Sequence, residues 1–504
     1  TTLIAIYIRK RNEIPIEALP YLAMPAILFA SINEKLEFAT NDMIMCVSMG
    51  IATLIVFTQK EMNNKWLYRS MIICTNIHLV IQVFGMIIGS EKIAISTTFP
   101  MANEIMFFYM LAMFCSILIY HKDNNLLWKK YAKIIGILAF ISLIAGEAIH
   151  TKKLEIGGEH ALGIWLGLGC GALFTITLFL WKKNNLPKKL GISFAALIFL
   201  ILMSISIIVV NSSFFSSSSP SEVASRVDNW KAAWSIISEK PFGIGFGSYG
   251  ANAMQHWPAL EECHRNLGAM VFNSVHNQYL QILTEIGWLG WLYYCALFAI
   301  PWFISISRYL KTGKLQFLFI AGILASVLSV MNVSEAISLF AFIQIIHWLL
   351  LIYSVKALLP LQTQRHIKVS NLARNLFFII LIPLIAFLLY DRSKQLYSMY
   401  LSRKYGKDIP LGRVLEIYPK NSEALGFAWT FYFENENYEE ALKTTDAIEE
   451  IAGHLWPVSQ ARAVTYLAMG DSAKACEAAK FPISRCFYDI WTQSLRERLV
   501  CESS

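Results

Sequence analysis

Eleven stretches of mostly apolar residues, each close to the length of a bilayer-spanning helix, recur along this chain and constrain its fold more than any other feature. A spanning helix needs roughly 17–25 such residues, because in hydrocarbon every backbone N–H and C=O must be satisfied within its own segment. The stretches are Ile14–Ile32, Asn41–Phe57, Leu67–Ile88, Ile105–Tyr120, Tyr131–Ala148, Ala161–Trp181, Gly191–Val210, Ile286–Ile304, Leu315–Met331, Ala336–Tyr353 and Leu372–Tyr390. The short apolar run Leu3–Ile8 leaves a twelfth span open, as the stub of an earlier helix or as a processed end. With 56% apolar and 15% charged residues and a mean hydropathy of +0.49, the bilayer is the expected main solvent. The expected fold class is all-α, a polytopic membrane bundle of about 11–12 spans.

Lysine and arginine in short connections stay on the cytoplasmic side, so their distribution sets the orientation. One alternating set of connections holds Arg9, Lys10 and Arg11; Lys60, Lys65 and Arg69; Lys122, Lys129 and Lys130; Lys182, Lys183, Lys188 and Lys189; Arg308, Lys311 and Lys314; and Lys356, Arg365, Lys368 and Arg374. The other set holds only Lys35, Lys92, Lys152 and Lys153, a ratio of 20 to 4 that never breaks alternation. One missed or invented span would invert the bias in every later loop. The Val210–Ile286 connection and the tail after Tyr390 therefore both fall outside the cytoplasm. The expected organisation is N-terminal spans over 1–210, a large outer loop over 211–285, C-terminal spans over 286–390 and an outer soluble module over 391–504. The net charge of +8 is mostly the cytoplasmic basic rim and gives no ground for a nucleic-acid partner. Cys46, Cys74, Cys115, Cys170 and Cys295 fall in spans as small apolar residues. Cys263, Cys476, Cys486 and Cys501 lie where an oxidising compartment permits disulfides, with pairing open.

In the tail, Tyr432, Asn437 and Ala441 recur as Tyr466, Asp471 and Ala475, each 34 residues on. That is the tetratricopeptide period, with alanine where paired helices pack closely. An ordinary small helical bundle is the other reading, and both give a protein-contact surface. Two repeats are too few to stand alone, so the module is expected to dock on the membrane domain or the large loop.

The large loop carries the chemistry. Ser221–Ile237 reads as an amphipathic helix with Val227, Trp230, Trp234 and Ile237 on one stripe. Arg226 lies one turn before Trp230; its guanidinium can hold a phosphate through paired charge-assisted bonds, or serve lipid headgroups as an interfacial arginine. Pro241–Gly250 has glycines at 243, 245, 247 and 250 but neither a preceding strand nor a following Lys-Ser/Thr pair, so it reads as a tight turn rather than a nucleotide loop. In Ser274–Gly290 a His276-Asn277 pair stands at the mouth of an apolar helix, with His276, Leu280 and Leu283 on one face and Glu285 just before Gly287. An imidazole can accept a hydroxyl proton near neutral pH, and a glutamate at membrane depth must be paired or protonated. A buried polar network holding the helix entrance explains the same residues. His256 and His264 lie in the same loop and His150 and His160 flank another, without the His-Asn-x-x-Leu pattern.

Taken in order, Arg226-x-x-x-Trp230, Pro241-x-Gly243-x-Gly245 and His276-Asn277-x-x-Leu280-x-x-x-x-Glu285-x-Gly287-x-x-Gly290 resemble the shared core of bacterial O-antigen ligases, O-antigen polymerases and O-linked protein oligosaccharyltransferases. The motif covers about 65 residues. A helical-repeat tail outside the membrane is similar to the oligosaccharyltransferases that glycosylate type IV pilins. The resemblance implies a multi-pass protein of the bacterial inner membrane with its loop and tail in the periplasm, and a donor glycan on undecaprenyl pyrophosphate in place of any cofactor. The implied acceptor is a Ser or Thr hydroxyl of an exported protein such as a pilin. It implies His276 as the base or acceptor that orients the hydroxyl, Asn277 fixing its local geometry, and Arg226 neutralising the leaving pyrophosphate, with Trp230 and Glu285 supporting. No metal is implied. One departure matters: related enzymes carry a further arginine after a serine at the outer start of an earlier span, where this chain reads Ile156–Leu162 without one. Lys152, Lys153 or Arg265 would have to supply the second cation. Transfer to lipid A-core, glycan polymerisation, and lipid-linked glycan transport without chemistry stand as alternatives.

Overall fold

The computed structural model describes residues 13–32, 39–58, 73, 116, 125–153, 162–184, 187, 197, 220–257, 275, 277–331, 341–358, 366–368, 371–405, 411–453 and 456–484. The expected spans Leu67–Ile88, Ile105–Tyr120 and Gly191–Val210 lie outside these residues, apart from Ile73, Ser116 and Leu197. The architecture is helical. The one extended pairing among the described residues is a three-residue antiparallel ladder of β1 (Glu13–Pro15) with β2 (His366–Lys368), in the register Glu13 to Lys368.

The first two helices are α1 (Leu19–Ser31) and α2 (Ala39–Thr58), followed by α3 (Leu126–Lys153) and α4 (Leu162–Lys183). The large loop contributes α5 (Pro220–Glu239) and the short α6 (Tyr249–Ala253). Then come α7 (Gln278–Thr312), α8 (Leu315–Val330), α9 (Ala341–Leu358) and α10 (Asn371–Tyr405). Among the described residues α7 is the one helix long and apolar enough by itself to cross a membrane. Shorter apolar helices cover Ile16–Ser31, Asp42–Phe57, Leu315–Val330 and His347–Leu358.

A continuous core joins α1, α2, α3, α4, α7, α8 and α9. Where α4 meets α8 the contact is built on small residues: a Cβ at Gly171 would strike Ser326, and one at Gly322 would strike the Thr175 hydroxyl. Such small-residue seams let helix backbones approach where dispersion and hydrogen bonding must do the packing. The outward faces are as apolar as the inward ones. Ile134, Ile137 and Ile141 on α3, Leu173 and Ile176 on α4, and Ile379, Ile380 and Phe387 on α10 are all more than half exposed, a pattern that water would penalise and lipid does not.

Contacts fall at two ends. At one end, the Lys356 ammonium donates to the C=O groups of Val56 (2.8 Å) and Phe57 (3.0 Å), and Lys182 donates to that of Leu310 (2.8 Å). Both lysines satisfy the open carbonyls of a helix C-terminus, where the helix dipole also favours a cation. At the other end, Phe246 N–H donates to Ser31 C=O (3.2 Å), Gln278 N–H to Met331 C=O (2.8 Å) and the Thr40 hydroxyl to Asp391 (2.5 Å).

The tail begins without a hinge. α10 runs unbroken from Asn371 through Tyr390 to Tyr405, so the apolar stretch and the first tail helix are one helix of roughly 52 Å at 1.5 Å per residue. It is followed by α11 (Leu411–Ile417), α12 (Ser422–Glu434), α13 (Tyr438–Ala452), α14 (Trp456–Ala468) and α15 (Ser472–Ser484). Asn421 caps α12 by accepting from Ala424 N–H (3.0 Å), and its amide donates to Ser398 (2.7 Å) and Ser402 (3.0 Å) on α10. The 34-residue recurrence has a structural counterpart. Asn437 N–H donates to Tyr432 C=O and Asp471 N–H to Tyr466 C=O, each at 2.9 Å, and Ala441 and Ala475 are both fully buried. Arg462 bridges the hairpins by pairing with Asp446 (2.7 Å) and Glu449 (2.5 Å) of α13. Gly453, at φ 78°, lies so close to Ala251 of α6 that a Cβ there would collide with the Ala251 backbone. The tail thus meets the large loop at Ala251.

Candidate functional site

The site forms where the glycine segment after α5 meets a break in α7. Gly287 has φ 70° and ψ −178°, which no other residue type adopts at low cost, and it interrupts the helix between Ile286 and Trp288. A break of this kind frees the carbonyls of the preceding turn and the N–H of the next. All three are satisfied by the glycine segment: Thr284 C=O accepts from Ile244 N–H (3.2 Å), Glu285 C=O accepts from Gly245 N–H (2.9 Å), and Trp288 N–H donates to Pro241 C=O (3.2 Å). The approach is backbone to backbone. A Cβ on Gly243 would strike the Glu285 carbonyl, and one on Gly287 would strike the Phe242 backbone. Gly243, Gly245 and Gly247 all have φ between 75° and 102°. The segment is therefore a docking turn, and its N–H groups are spent within the protein: those of Gly243, Phe246 and Ser248 also donate to backbone carbonyls. None of these is left to cradle a phosphate.

Around this junction runs a closed ring of hydrogen bonds. The Trp230 indole on α5 donates to Val275 C=O (3.0 Å), and Val275 N–H donates to the Gln281 side-chain carbonyl (2.9 Å). The Gln281 amide donates to Glu285 Oε1 (2.7 Å), which also accepts from Tyr249 N–H (3.4 Å). The Tyr249 hydroxyl returns to α5 by donating to the C=O (3.0 Å) and side chain (3.2 Å) of Asn229, the residue before Trp230. Glu285 is 2% exposed and Gln281 6%. Burial first, and the neighbouring Glu285 second, push the Tyr249 phenol well above the usual tyrosine range, so it remains a donor. An apolar cluster of Ala233, Ile236, Ile237, Tyr249, Ala253, Val275, Leu280 and Leu283 packs beside the ring and excludes water.

The expected site residues fare differently. Asn277 is the N-cap of α7: with φ −151° it is extended, and its side-chain oxygen accepts from Leu280 N–H (3.0 Å). α7 then begins at Gln278 and carries Leu280 and Leu283 in its first two turns; the face they are expected to share with His276 is not among the described residues. His276 itself and Arg265 lie outside the described residues. Arg226 falls in the first half of α5, and Lys152 and Lys153 are the last two residues of α3; their side chains lie outside the description. Trp230 takes its place on the ring. Trp234 is half exposed and meets Trp288 at 6.4 Å between ring centroids, so it leaves the buried stripe that Ile237 occupies.

Four participants were not singled out from the sequence: Asn229, Tyr249, Gln281 and Asp42. Asp42, on α2, sits with its carboxylate where a Cβ of Gly247 would be, so α2 touches the glycine segment from the far side. Its signal was present, since an ionisable residue inside a predicted span is by default a functional candidate. Gln281 stands four residues before Glu285, the spacing of neighbours on a helix face. Tyr249 had no comparable signal, because its partners come from two other elements.

Residues 158–295, which run from before α4 to the middle of α7, match a family model described as O-Antigen ligase. No curated protein and no solved structure matches the chain. The matched stretch contains the whole ring and the Gly287 break, and it supports placing this chain in the O-antigen ligase superfamily of membrane-bound glycan transferases.

Proposed function

We propose that this chain is a multi-spanning inner-membrane oligosaccharyltransferase that moves a preassembled glycan from undecaprenyl pyrophosphate to a Ser or Thr hydroxyl of an exported protein such as a type IV pilin. The observation that carries the protein-acceptor part is the packing of Gly453 on Ala251, which sets the helical tail against the loop bearing the ring. A tetratricopeptide-like tail held there offers an acceptor protein a surface beside the reacting hydroxyl. An acceptor made of lipid A-core or of a second glycan has no evident use for it.

Sidedness supports the same reading. Each bond at the Lys356 and Lys182 end joins segments that the lysine and arginine distribution assigns to the cytoplasm. Each bond at the Ser31, Met331 and Asp391 end joins segments assigned to the periplasm. Cys476 of the tail is disulfide-bonded, whereas Cys46 and Cys295 of the helices are not, the division expected if the tail faces an oxidising compartment.

In this mechanism the acceptor hydroxyl attacks the anomeric carbon, the bond from that carbon to the pyrophosphate oxygen breaks, and lipid pyrophosphate leaves. His276 accepts the hydroxyl proton. Arg226, joined by Arg265, Lys152 or Lys153, neutralises the charge growing on the leaving group, the electrostatic contribution that usually dominates such barriers. No metal or cofactor is assigned a step. The test purifies His276→Ala and Arg226→Ala beside wild type and measures glycan transfer to a co-expressed pilin by intact mass. Both folded variants are expected to lose transfer, and full transfer by His276→Ala overturns the mechanism.

A further inference from the structure

An exposed apolar patch surrounds the break in α7, and the glycine segment forms its tip. Phe242 is 84% exposed, Trp234 of α5 50% and Trp288 42%. They are neighbours: the Trp234 and Trp288 rings lie 6.4 Å apart between centroids, and the Phe242 backbone abuts Gly287, the residue before Trp288. The patch continues along α7. Leu289, Leu292, Ile300, Phe303 and Ile304 are all at least 40% exposed, and at about 3.6 residues per turn they fall on one stripe leading away from the break. The multi-spanning reading sets such a stripe against lipid hydrocarbon, so the aromatic patch sits where the hydrocarbon ends.

Two properties fit this patch to a bilayer interface rather than to water. The first is its backbone. Pro241 has no N–H, its C=O accepts from Trp288 N–H (3.2 Å), and the N–H groups of Gly243, Ile244 and Gly245 donate to the carbonyls of Lys240 (2.9 Å), Thr284 (3.2 Å) and Glu285 (2.9 Å). Backbone groups satisfied in this way enter an apolar medium without the cost of an unmade hydrogen bond. The second is its side chains. Tryptophan rings favour the headgroup level, and Lys240, exposed two residues before Phe242, has a chain long enough to reach lipid phosphates while its neighbours lie deeper. A patch of this size facing water would be a liability for association.

We propose that Phe242, Trp234 and Trp288 form a wedge that seats the large loop in the periplasmic leaflet, its partner being bulk lipid at the boundary between headgroups and acyl chains. The inference rests on the multi-spanning reading and adds that α5 and the glycine segment are seated in the membrane rather than held above it in water. One consequence is geometric. Because Gly287 abuts Phe242, the break in α7 and the Glu285 end of the ring come to rest near headgroup level, where a polyprenyl-anchored pyrophosphate also rests.

The experiment reconstitutes the full-length protein in liposomes of phosphatidylethanolamine and phosphatidylglycerol. A nitroxide spin label is placed on Phe242→Cys, Trp234→Cys, Leu292→Cys or Asn435→Cys, and the signal of the unsubstituted protein labelled in parallel is subtracted. Collisions with oxygen, which concentrates in hydrocarbon, and with a nickel chelate, which stays in water, give the depth of each label. Phe242→Cys and Trp234→Cys are expected to read roughly 5–10 Å below the lipid phosphates, the depth of an interfacial helix face. Leu292→Cys, one turn beyond Trp288, should read deeper still, and Asn435→Cys in the tail should read as water. Water contact at Phe242→Cys and Trp234→Cys with Leu292→Cys in hydrocarbon overturns the wedge and leaves α7 as a span. Water contact at Leu292→Cys overturns the multi-spanning reading itself, and the wedge with it. Depth at Phe242→Cys that arises only when undecaprenyl pyrophosphate-linked glycan is added marks a seat for the donor's polyprenyl chain, and spin–spin broadening there marks a contact between two copies. Either result overturns bulk lipid as the partner.

Discussion

Asn277 illustrates how one side chain acts at the residue scale. Its oxygen closes an orphan N–H at the start of α7, so Asn277→Ala should lower stability by about 1 kcal/mol, whereas Asn277→Asp keeps the cap and should cost a few tenths. Thermal unfolding in detergent measures both. Gly287 is less forgiving. Gly287→Ala must hold a positive φ and push its Cβ into the Phe242 backbone, so it is expected to destabilise by about 3 kcal/mol or more and to detach the glycine segment. A folded, fully active Gly287→Ala protein would mean that the break in α7 is dispensable. At this scale the sequence was partly legible. The glycines, Asn277 and Glu285 stood out by type and spacing, but the meeting of Glu285 with Gly247 and Tyr249 did not, because they reach it only after the glycine segment and α6 have packed on α7.

The elements carry predictions of their own. In the tail, the turns after α12 and α14 occupy equivalent repeat positions and both need a left-handed residue. The second has Gly470 at φ 80°, and the first has Glu436 at φ 60°, the one non-glycine positive φ among the described residues. Glu436→Gly should therefore stabilise the protein, by up to about 1 kcal/mol, and Gly470→Ala should destabilise it by a similar amount. Opposite shifts in the unfolding midpoint would check the pair together. The 34-residue spacing is legible in the chain itself, since it follows from which positions repeat alanine and asparagine or aspartate. What the spacing does not reveal is that α10 enters the tail unbroken. The change in composition after Tyr390 reads as a change of solvent, and a helix can cross such a boundary without changing its backbone.

For the whole molecule, sidedness is the property to test. Relative to the unsubstituted protein, Asn435→Cys in the tail should add reactivity toward a membrane-impermeant maleimide in spheroplasts, and Lys314→Cys in the α7–α8 connection should add it only after the membrane is opened. Labelling of both positions from the outside, or of neither, would refute the proposed topology. A tail that docks through Gly453 adds a second expectation. Gly453→Val should loosen tail from loop and reduce transfer to a protein acceptor, while α7 and α8 keep their hydrogen-exchange protection.

The helical class, the 34-residue recurrence and the order of the loop motifs were legible in the sequence alone, as was the proposed orientation, because each depends on composition or spacing along the chain. Hydrophobic length selects a solvent, charge selects a side, and a fixed period selects a repeat unit. The ring from Trp230 to Tyr249 was decided only by tertiary structure. So were the spending of the glycine-segment N–H groups on the Gly287 break, the approach of Asp42 and the seating of the tail on Ala251. Each depends on which groups meet across a packed interface, and hydrogen-bond partners more than 20 residues apart leave no periodic trace in a single chain. The glycine segment shows the difference most plainly. Its residue types promised tight turns, and only the fold revealed that those turns exist to replace the hydrogen bonds that α7 gives up at its mouth.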